Sequence, residues 1–194
     1  TGAAPRSVQE GLAGQKAIRD IMIAMRECPQ PIISIVQGAA SGGGFALALA
    51  SDIRLATPEA RMNASFLRIG LTGCDMGVSY FLPRMVGSSV AAQYLLTGGF
   101  MDAQRAYALG LVSMVAPLPD LQQEAQALAE DMLRTTPLGL RFSKEALGLS
   151  LDMGSLEAVM AMEDRQQVLC TQTEDFQEGM QAFLQKRPPQ YTDH

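Results

Sequence analysis

From Val8 to Arg26, apolar side chains fall at Val8, Leu12, Ile18, Ile21, Met22 and Met25, a helical spacing that predicts one buried face. Pro29 and Pro31 end that helix. Ile32 to Val36 is apolar and rich in β-branched residues, and Pro31 and Gly38 bound it, which predicts a strand covered on both faces. A helix is expected from about Gly44 to Ala50, then strands at Ile53 to Ala56 and near Arg61 to Asn63. Strand, crossover helix and strand in this order point to a parallel sheet with right-handed connections, so the fold class is α/β. Farther on, Ser88 to Leu96 reads as a helix ending at Gly98-Gly99. Asp102 is placed to cap a helix from Ala103 to Leu109, with Gly110 as its left-handed exit before a strand from Leu111 to Val115. Beyond Pro117 and Pro119 the pattern gives four helices and no strand: Asp120 to Arg134, Thr136 to Gly148, Ser155 to Leu169 and Thr173 to Gln185. The expected organisation is an α/β core over residues 1–118 and a helical region over 119–194.

Cys28 to Ser51 carries no charged side chain and is long enough to span a bilayer. Pro29, Pro31, Ser34, Gln37, Ser41 and the Gly42-Gly43-Gly44 triplet interrupt it, so it reads as a strand, a tight turn and a buried helix, with no membrane partner. The opening Thr1-Gly2-Ala3-Ala4-Pro5 resembles the middle of a loop and has no signal-peptide pattern, which gives the expectation that the chain starts inside a domain. At 47% hydrophobic and 18% charged residues, the 194-residue chain can bury a core. A net charge of -5 with only three lysines, Lys16, Lys144 and Lys186, argues against a nucleic-acid partner. Cys28, Cys74 and Cys170 lie far apart and odd in number, as suits reduced thiols in the cytoplasm rather than disulfides or a metal site. The single histidine, His194, is the last residue, so no mechanism can rest on an internal imidazole of this chain.

The segment Ile32 to Asp52, IISIVQGAASGGGFALALASD, is the most informative. A strand that runs into consecutive glycines opening a helix presents free amides and the positive end of a helix dipole. A phosphate, the oxyanion of a hydrolase or the enolate oxygen of a thioester would each suit it, and so would simple close packing of helix on strand. Phe45-Ala46-Leu47 follows where a P-loop needs Lys-Ser/Thr, which disfavours phosphate. Ser41 approximates a nucleophile elbow, but a triad has no histidine other than the terminal one, so Ser41 reads as a turn residue.

Val36-Gln37-Gly38-Ala39-Ala40-Ser41-Gly42-Gly43-Gly44, followed by Ala50-Ser51-Asp52-Ile53-Arg54-Leu55-Ala56, resembles the signature of the crotonase (enoyl-CoA hydratase/isomerase) superfamily. Ile69-Gly70-Leu71, Leu82-Pro83-Arg84-Met85-Val86-Gly87, Leu96-Thr97-Gly98, Gly110-Leu111-Val112 and Phe183-Leu184-Gln185-Lys186-Arg187 extend the likeness across nearly the whole chain. The resemblance implies a crotonase-like ββα spiral core with a C-terminal helical trimerisation region, a homotrimer or dimer of trimers, and an acyl-CoA thioester substrate. Coenzyme A is then part of the substrate and no separate cofactor is implied. It assigns the Gly43 amide as one oxyanion donor. The second donor belongs to an earlier Ser/Ala-Gly-x-Asp loop that does not occur here, so the N-terminal part of the core is expected to be missing. It also places Phe183 and Lys186 beside the coenzyme A of a neighbouring subunit, with Arg187 and Arg84 as weaker candidates.

Hydratases of that family carry two glutamates, at positions that here hold Ala46 and Phe66. Neither residue moves a proton, so the two-glutamate hydration route is closed. Between Glu27 and Asp102 the carboxylates are Asp52, Glu59 and Asp75, and of these Asp75 alone falls near the expected site. It is assigned as the acid/base, and it is equally placed to cap a helix starting near Met76. Cys74 beside it is expected to be buried and inert. The resulting expectation is an enzyme that forms an oxyanion-stabilised thioester enolate, as an enoyl-CoA isomerase or hydratase. The alternative is a catalytically silent acyl-CoA-binding or assembly subunit of the same fold.

Overall fold

The computed structural model describes residues 7–194, so the expectation for residues 1–5 lies outside it. Helix α1 (Val8–Glu27) opens with a reciprocal cap: Ser7 Oγ accepts from the Glu10 amide and Glu10 Oε2 accepts from the Ser7 amide. Of its expected apolar face, Met22 is buried and Met25 packs on the core, while Val8, Leu12, Ile18 and Ile21 stand exposed. That differs from the expected buried face, because among the described residues α1 meets the core mainly through α2.

Strand β1 (Ile33–Val36), strand β2 (Ala39–Ser41) and helix α2 (Gly43–Ala50) form one turn of a winding chain, and β3 (Ile53–Ala56) and β4 (Arg61–Asn63) begin the next. Each turn places one strand in each of two sheets. In the first, β1 pairs in parallel with β3, Ile33 opposite Ile53 through Val36 opposite Ala56. In the second, β2 pairs in parallel with β4, Ala39 opposite Arg61. After a 3-10 turn at Ser65–Ile69 come α3 (Val78–Val86) and α4 (Ser88–Thr97). Strand β5 (Met101–Asp102) then adds antiparallel to β4, α5 (Ala103–Ala108) follows, and β6 (Met114–Val115) adds parallel to β3. Asp102 Oδ1 caps α5 through the Arg105 amide at 2.7 Å, and Gly110 exits at φ 73°, as expected. The expected strand from Leu111 shrinks to two residues, because the amides of Leu111 and Val112 turn back to the Ala106 carbonyl and both side chains are buried there.

Helix α2 is the hub of the core. Phe45, Ala46, Ala48, Leu49 and Ala50 are all buried, which explains a helix with hardly a polar face. Its carboxyl end is held by two arginines. Arg26 of α1 reaches Asp52 Oδ1 at 2.7 Å, and Arg54 donates to the carbonyls of Ser51 and Leu111. Burial, first, and the nearby Arg26 charge lower the pKa of the Arg54 guanidinium.

The chain divides into two compact units, one ending at Gln122 and one from Gln123 to His194, with the break inside α6 (Leu118–Leu133). The second unit is helical, with α7 (Pro137–Ser150), α8 (Leu156–Thr171) and α9 (Glu174–Gln185). Thr136, Ser155 and Thr173 each accept a hydrogen bond from an amide of the first turn they cap. No helix among the described residues is long and apolar enough to cross a membrane.

Candidate active site

The turn between β2 and α2 sits at φ 55°, ψ −115° on Gly42, a conformation that side-chain-bearing residues avoid. Space is tight there as well: a Cβ on Gly42 would lie 3.0 Å from Ser65 Oγ and 3.1 Å from Phe66 Cε1, so these neighbours would have to give way. The Gly42 amide pairs with the Asn63 carbonyl at 2.9 Å, which ties the turn to β4. Gly43 then begins α2. No side chain caps the helix, so the amides of Gly43, Gly44 and Phe45 have no intrahelical acceptor. This is an anion-stabilising end, with hydrogen-bond donors and the helix dipole aimed together.

Opposite it runs the loop before α3. Gly73 is buried so close to α4 that a Cβ would fall 2.1 Å from the Leu95 carbonyl oxygen, which fixes the loop backbone to backbone. Met76 adopts a left-handed φ of 50°, and its Sδ lies 3.5 Å from where a Cβ on Gly43 would be. Residue strain of this kind costs about 1–3 kcal/mol and persists where surrounding packing dictates it. The structure therefore sets Gly43 against Met76, the residue that follows Asp75, while the Asp75 carboxylate itself borders the cavity on the α1 side.

Asp75 is half-buried. Its Oδ1 accepts from the Met76 amide at 2.7 Å and from Gln15 Nε2 of α1. Asp75 does not cap α3: that helix begins at Val78, and Gly77, at φ 80°, stands at its N-cap. The left-handed Met76 and Gly77 displace the helix start beyond reach of the carboxylate. Cys74 is exposed, contrary to the expected burial, because the segment from Arg68 to Thr72 and Cys74 itself lie at the surface. An open cavity of about 410 Å³ lies between α1 and this loop, bordered by Gln15, Lys16 and Arg19 on one side and Cys74, Asp75 and Met76 on the other. A second, of about 340 Å³, adjoins Gly44, Leu47 and the Gln37–Ala40 segment.

The other carboxylates stay outside. Asp52 is engaged by Arg26 and the Ile32 amide, and Glu59 is exposed in a turn. Ala46 has no exposed surface, and Phe66 packs its ring on Gly42, so both positions are filled by apolar groups that serve the turn. Phe183 and Lys186 belong to the second unit. Phe183 is 80% exposed, and Lys186 ends α9 in a left-handed conformation with its side chain in solvent. Arg187 is engaged by Glu178 through two short bonds, and Arg84 stacks on the Tyr80 ring. Gln15 was not indicated by any sequence motif. Its partner is 60 residues away, and no local pattern marks it.

The enoyl-CoA hydratase/isomerase family model matches residues 5–194. The chain belongs to that family, the crotonase superfamily. It is 38% identical over 183 residues to the probable enoyl-CoA hydratase EchA12 of Mycobacterium tuberculosis, covering 94% of this chain and 64% of that protein. It thus spans less than two thirds of that relative's length. It is 32% identical over 192 residues to the 1,2-epoxyphenylacetyl-CoA isomerase of Escherichia coli, covering 99% of this chain and 71% of that protein. The crystal structure of a probable enoyl-CoA hydratase/isomerase from Mycobacterium abscessus superposes with a TM-score of 0.90 at 33% identity, covering 99% of this chain and 75% of that one.

Proposed function

We propose that the protein is an acyl-CoA enzyme that works through a thioester enolate, with the Gly43 amide as an oxyanion donor and Asp75 as the acid/base. The observation that carries this reading is the uncapped amino end of α2 at Gly43, with Met76 packed on it and the Asp75 carboxylate one residue away. Removing a proton from the carbon beside a thioester carbonyl moves an electron pair onto the carbonyl oxygen. Fixed amides stabilise that charge without reorganising, and a single missing donor of this kind typically costs about 10²–10³ in rate. Asp75 takes the proton and returns it, either to the same carbon or two carbons farther along. The second outcome shifts a double bond into conjugation with the thioester, with no atom gained or lost.

Isomerisation fits these residues better than hydration by two glutamates, because Ala46 and Phe66 cannot activate water. One family relative is named an isomerase and others hydratases, which supports the class of reaction. Phe183 and Lys186 are proposed to contact the coenzyme A part of the substrate, and the assembly is proposed to be a homotrimer or a dimer of trimers in the cytoplasm.

The test is spectroscopic. Full-length protein is mixed with a 3-enoyl-CoA and the conjugated thioester absorbance is followed, and its loss is followed with crotonyl-CoA. Gain with the first substrate, abolished by Asp75→Asn, is the expected result. Unchanged turnover in Asp75→Asn would remove the acid/base assignment. Tight acyl-CoA binding with neither reaction would favour the silent subunit, which the two replaced glutamates also suit.

A further inference from the structure

We propose that Gln15 is a positioning residue for Asp75, holding one carboxylate oxygen so that the other is the oxygen that exchanges protons. The inference rests on the acid/base reading of Asp75 and adds to it a residue outside every motif.

Both hydrogen bonds to the carboxylate converge on the same atom. The Met76 amide and Gln15 Nε2 donate to Oδ1, while Oδ2 has no partner among the described residues. A carboxyl group with one donor on the backbone side can rotate and interchange its oxygens. A second donor on the same oxygen, arriving from another helix, fixes the plane. What remains is one oxygen occupied and one available, the arrangement that a single-site proton acceptor needs.

The two supports of this bond are each built in. On the Asp75 side, Gly73 is pressed against the Leu95 carbonyl and Met76 is held left-handed. On the Gln15 side, α1 is fixed by the buried Met22 and by Arg26, which binds Asp52 and the Ala50 carbonyl at the far end of α2. Gln15 precedes Met22 by seven residues, two helical turns, and so projects from the same face about 10 Å along the axis. Helix α1 thus acts as a strut from the carboxyl end of α2 to the loop that faces its amino end.

The chemical type of the donor also fits. Asp75 must alternate between carboxylate and carboxylic acid as it takes and returns a proton. A lysine or arginine in contact would hold it ionised through charge. The neutral amide of Gln15 can donate to Oδ1 in both states, because a carboxylic acid keeps an acceptor lone pair on its carbonyl oxygen. The charged groups bordering the same cavity, Lys16 and Arg19 on α1, are not hydrogen-bonded to the carboxylate in the described structure, and Arg19 is bound to Asp20.

The experiment uses the full-length protein and measures deuterium uptake from heavy water into 3-hexenoyl-CoA, together with kcat and KM for its isomerisation. Gln15→Leu and the near-isosteric Gln15→Met, neither of which has a donor, are each expected to lower kcat about tenfold or more with KM within about twofold. In an Asp75→Asn background the same changes should have no further effect, since the group they position is gone. Uptake abolished by Asp75→Asn but kcat kept within twofold in both Gln15 variants would overturn the positioning role and leave the acid/base reading standing. A rise in KM with kcat unchanged would overturn it too, by assigning Gln15 to substrate binding. Isomerisation unaffected by Asp75→Asn, or absent from the wild-type protein, would overturn the acid/base reading and the role of Gln15 with it.

Discussion

Gly42 and Gly43 are neighbours with opposite demands, and substitution separates them. Gly42 holds φ 55°, ψ −115° and has Ser65 and Phe66 against the place of its missing side chain. Gly42→Ala should therefore cost about 1–3 kcal/mol of stability, read as a lower urea midpoint. Gly43 is helical, and a Cβ there would meet Met76 Sδ at an ordinary 3.5 Å, so Gly43→Ala should leave the midpoint nearly unchanged. Equal losses in the two variants would contradict this account of the turn. The same contrast explains what was legible from sequence. The glycine run and Asp75 lie in short local motifs whose chemistry can be read residue by residue. The left-handed Met76 cannot be read that way, because packing imposes it, and it is what moved the start of α3 away from Asp75. Gln15 was invisible for a related reason: its function is a contact across 60 residues.

Among the elements, helices were legible wherever a cap marked them, and Thr136, Ser155 and Thr173 stand at the helix starts read from the sequence. Strands β2 and β5, of three and two residues, escaped because their pairing with β4 is set by distant chain and not by local alternation. The chain after α9 was also unforeseen. It folds back on that helix: the buried Asp175 accepts the amides of Thr192 and Asp193, Glu178 binds Arg187 at 2.6 and 2.7 Å, and Arg141 of α7 grips Asp193. The Arg187 side chain, then the Gln190 amide, lower the pKa of Glu178 to about 2, and Arg141 lowers that of Asp193. A depressed carboxylate contributes stability that is fully present above its unfolded value, 4.5 for Glu178, and lost as pH falls toward the folded value. Amide exchange at Gln190, Thr192 and Asp193 should therefore be slow at neutral pH, and the Gln190 amide, which Glu178 holds, should lose protection between about pH 4.5 and 2. Glu178→Gln should weaken that dependence. A tail whose protection is flat across this range would show that these pairs do not hold it.

At the scale of the whole molecule, apolar periodicity shows that a face must be covered without saying by what. In the second unit Leu147, Leu151, Leu156, Val168, Leu169, Phe183 and Leu184 are all more than half exposed. Scattered exposed leucines are ordinary, but this many in one 72-residue unit is more apolar surface than a solvated helical layer needs. Association of copies would remove it from water at about 25 cal/mol per Å². Light scattering of the full-length protein is expected to give three or six times the subunit mass, and Leu156→Glu combined with Leu184→Glu should lower it. Lys186→Ala provides the complementary reading, since Lys186 is a solvent-exposed cation that no apolar contact needs. Its loss should weaken coenzyme A binding while leaving the assembled mass intact. A wild-type protein that stays monomeric at micromolar concentration would refute the assembly. A Lys186→Ala variant with unaltered coenzyme A affinity would remove that residue from the binding site.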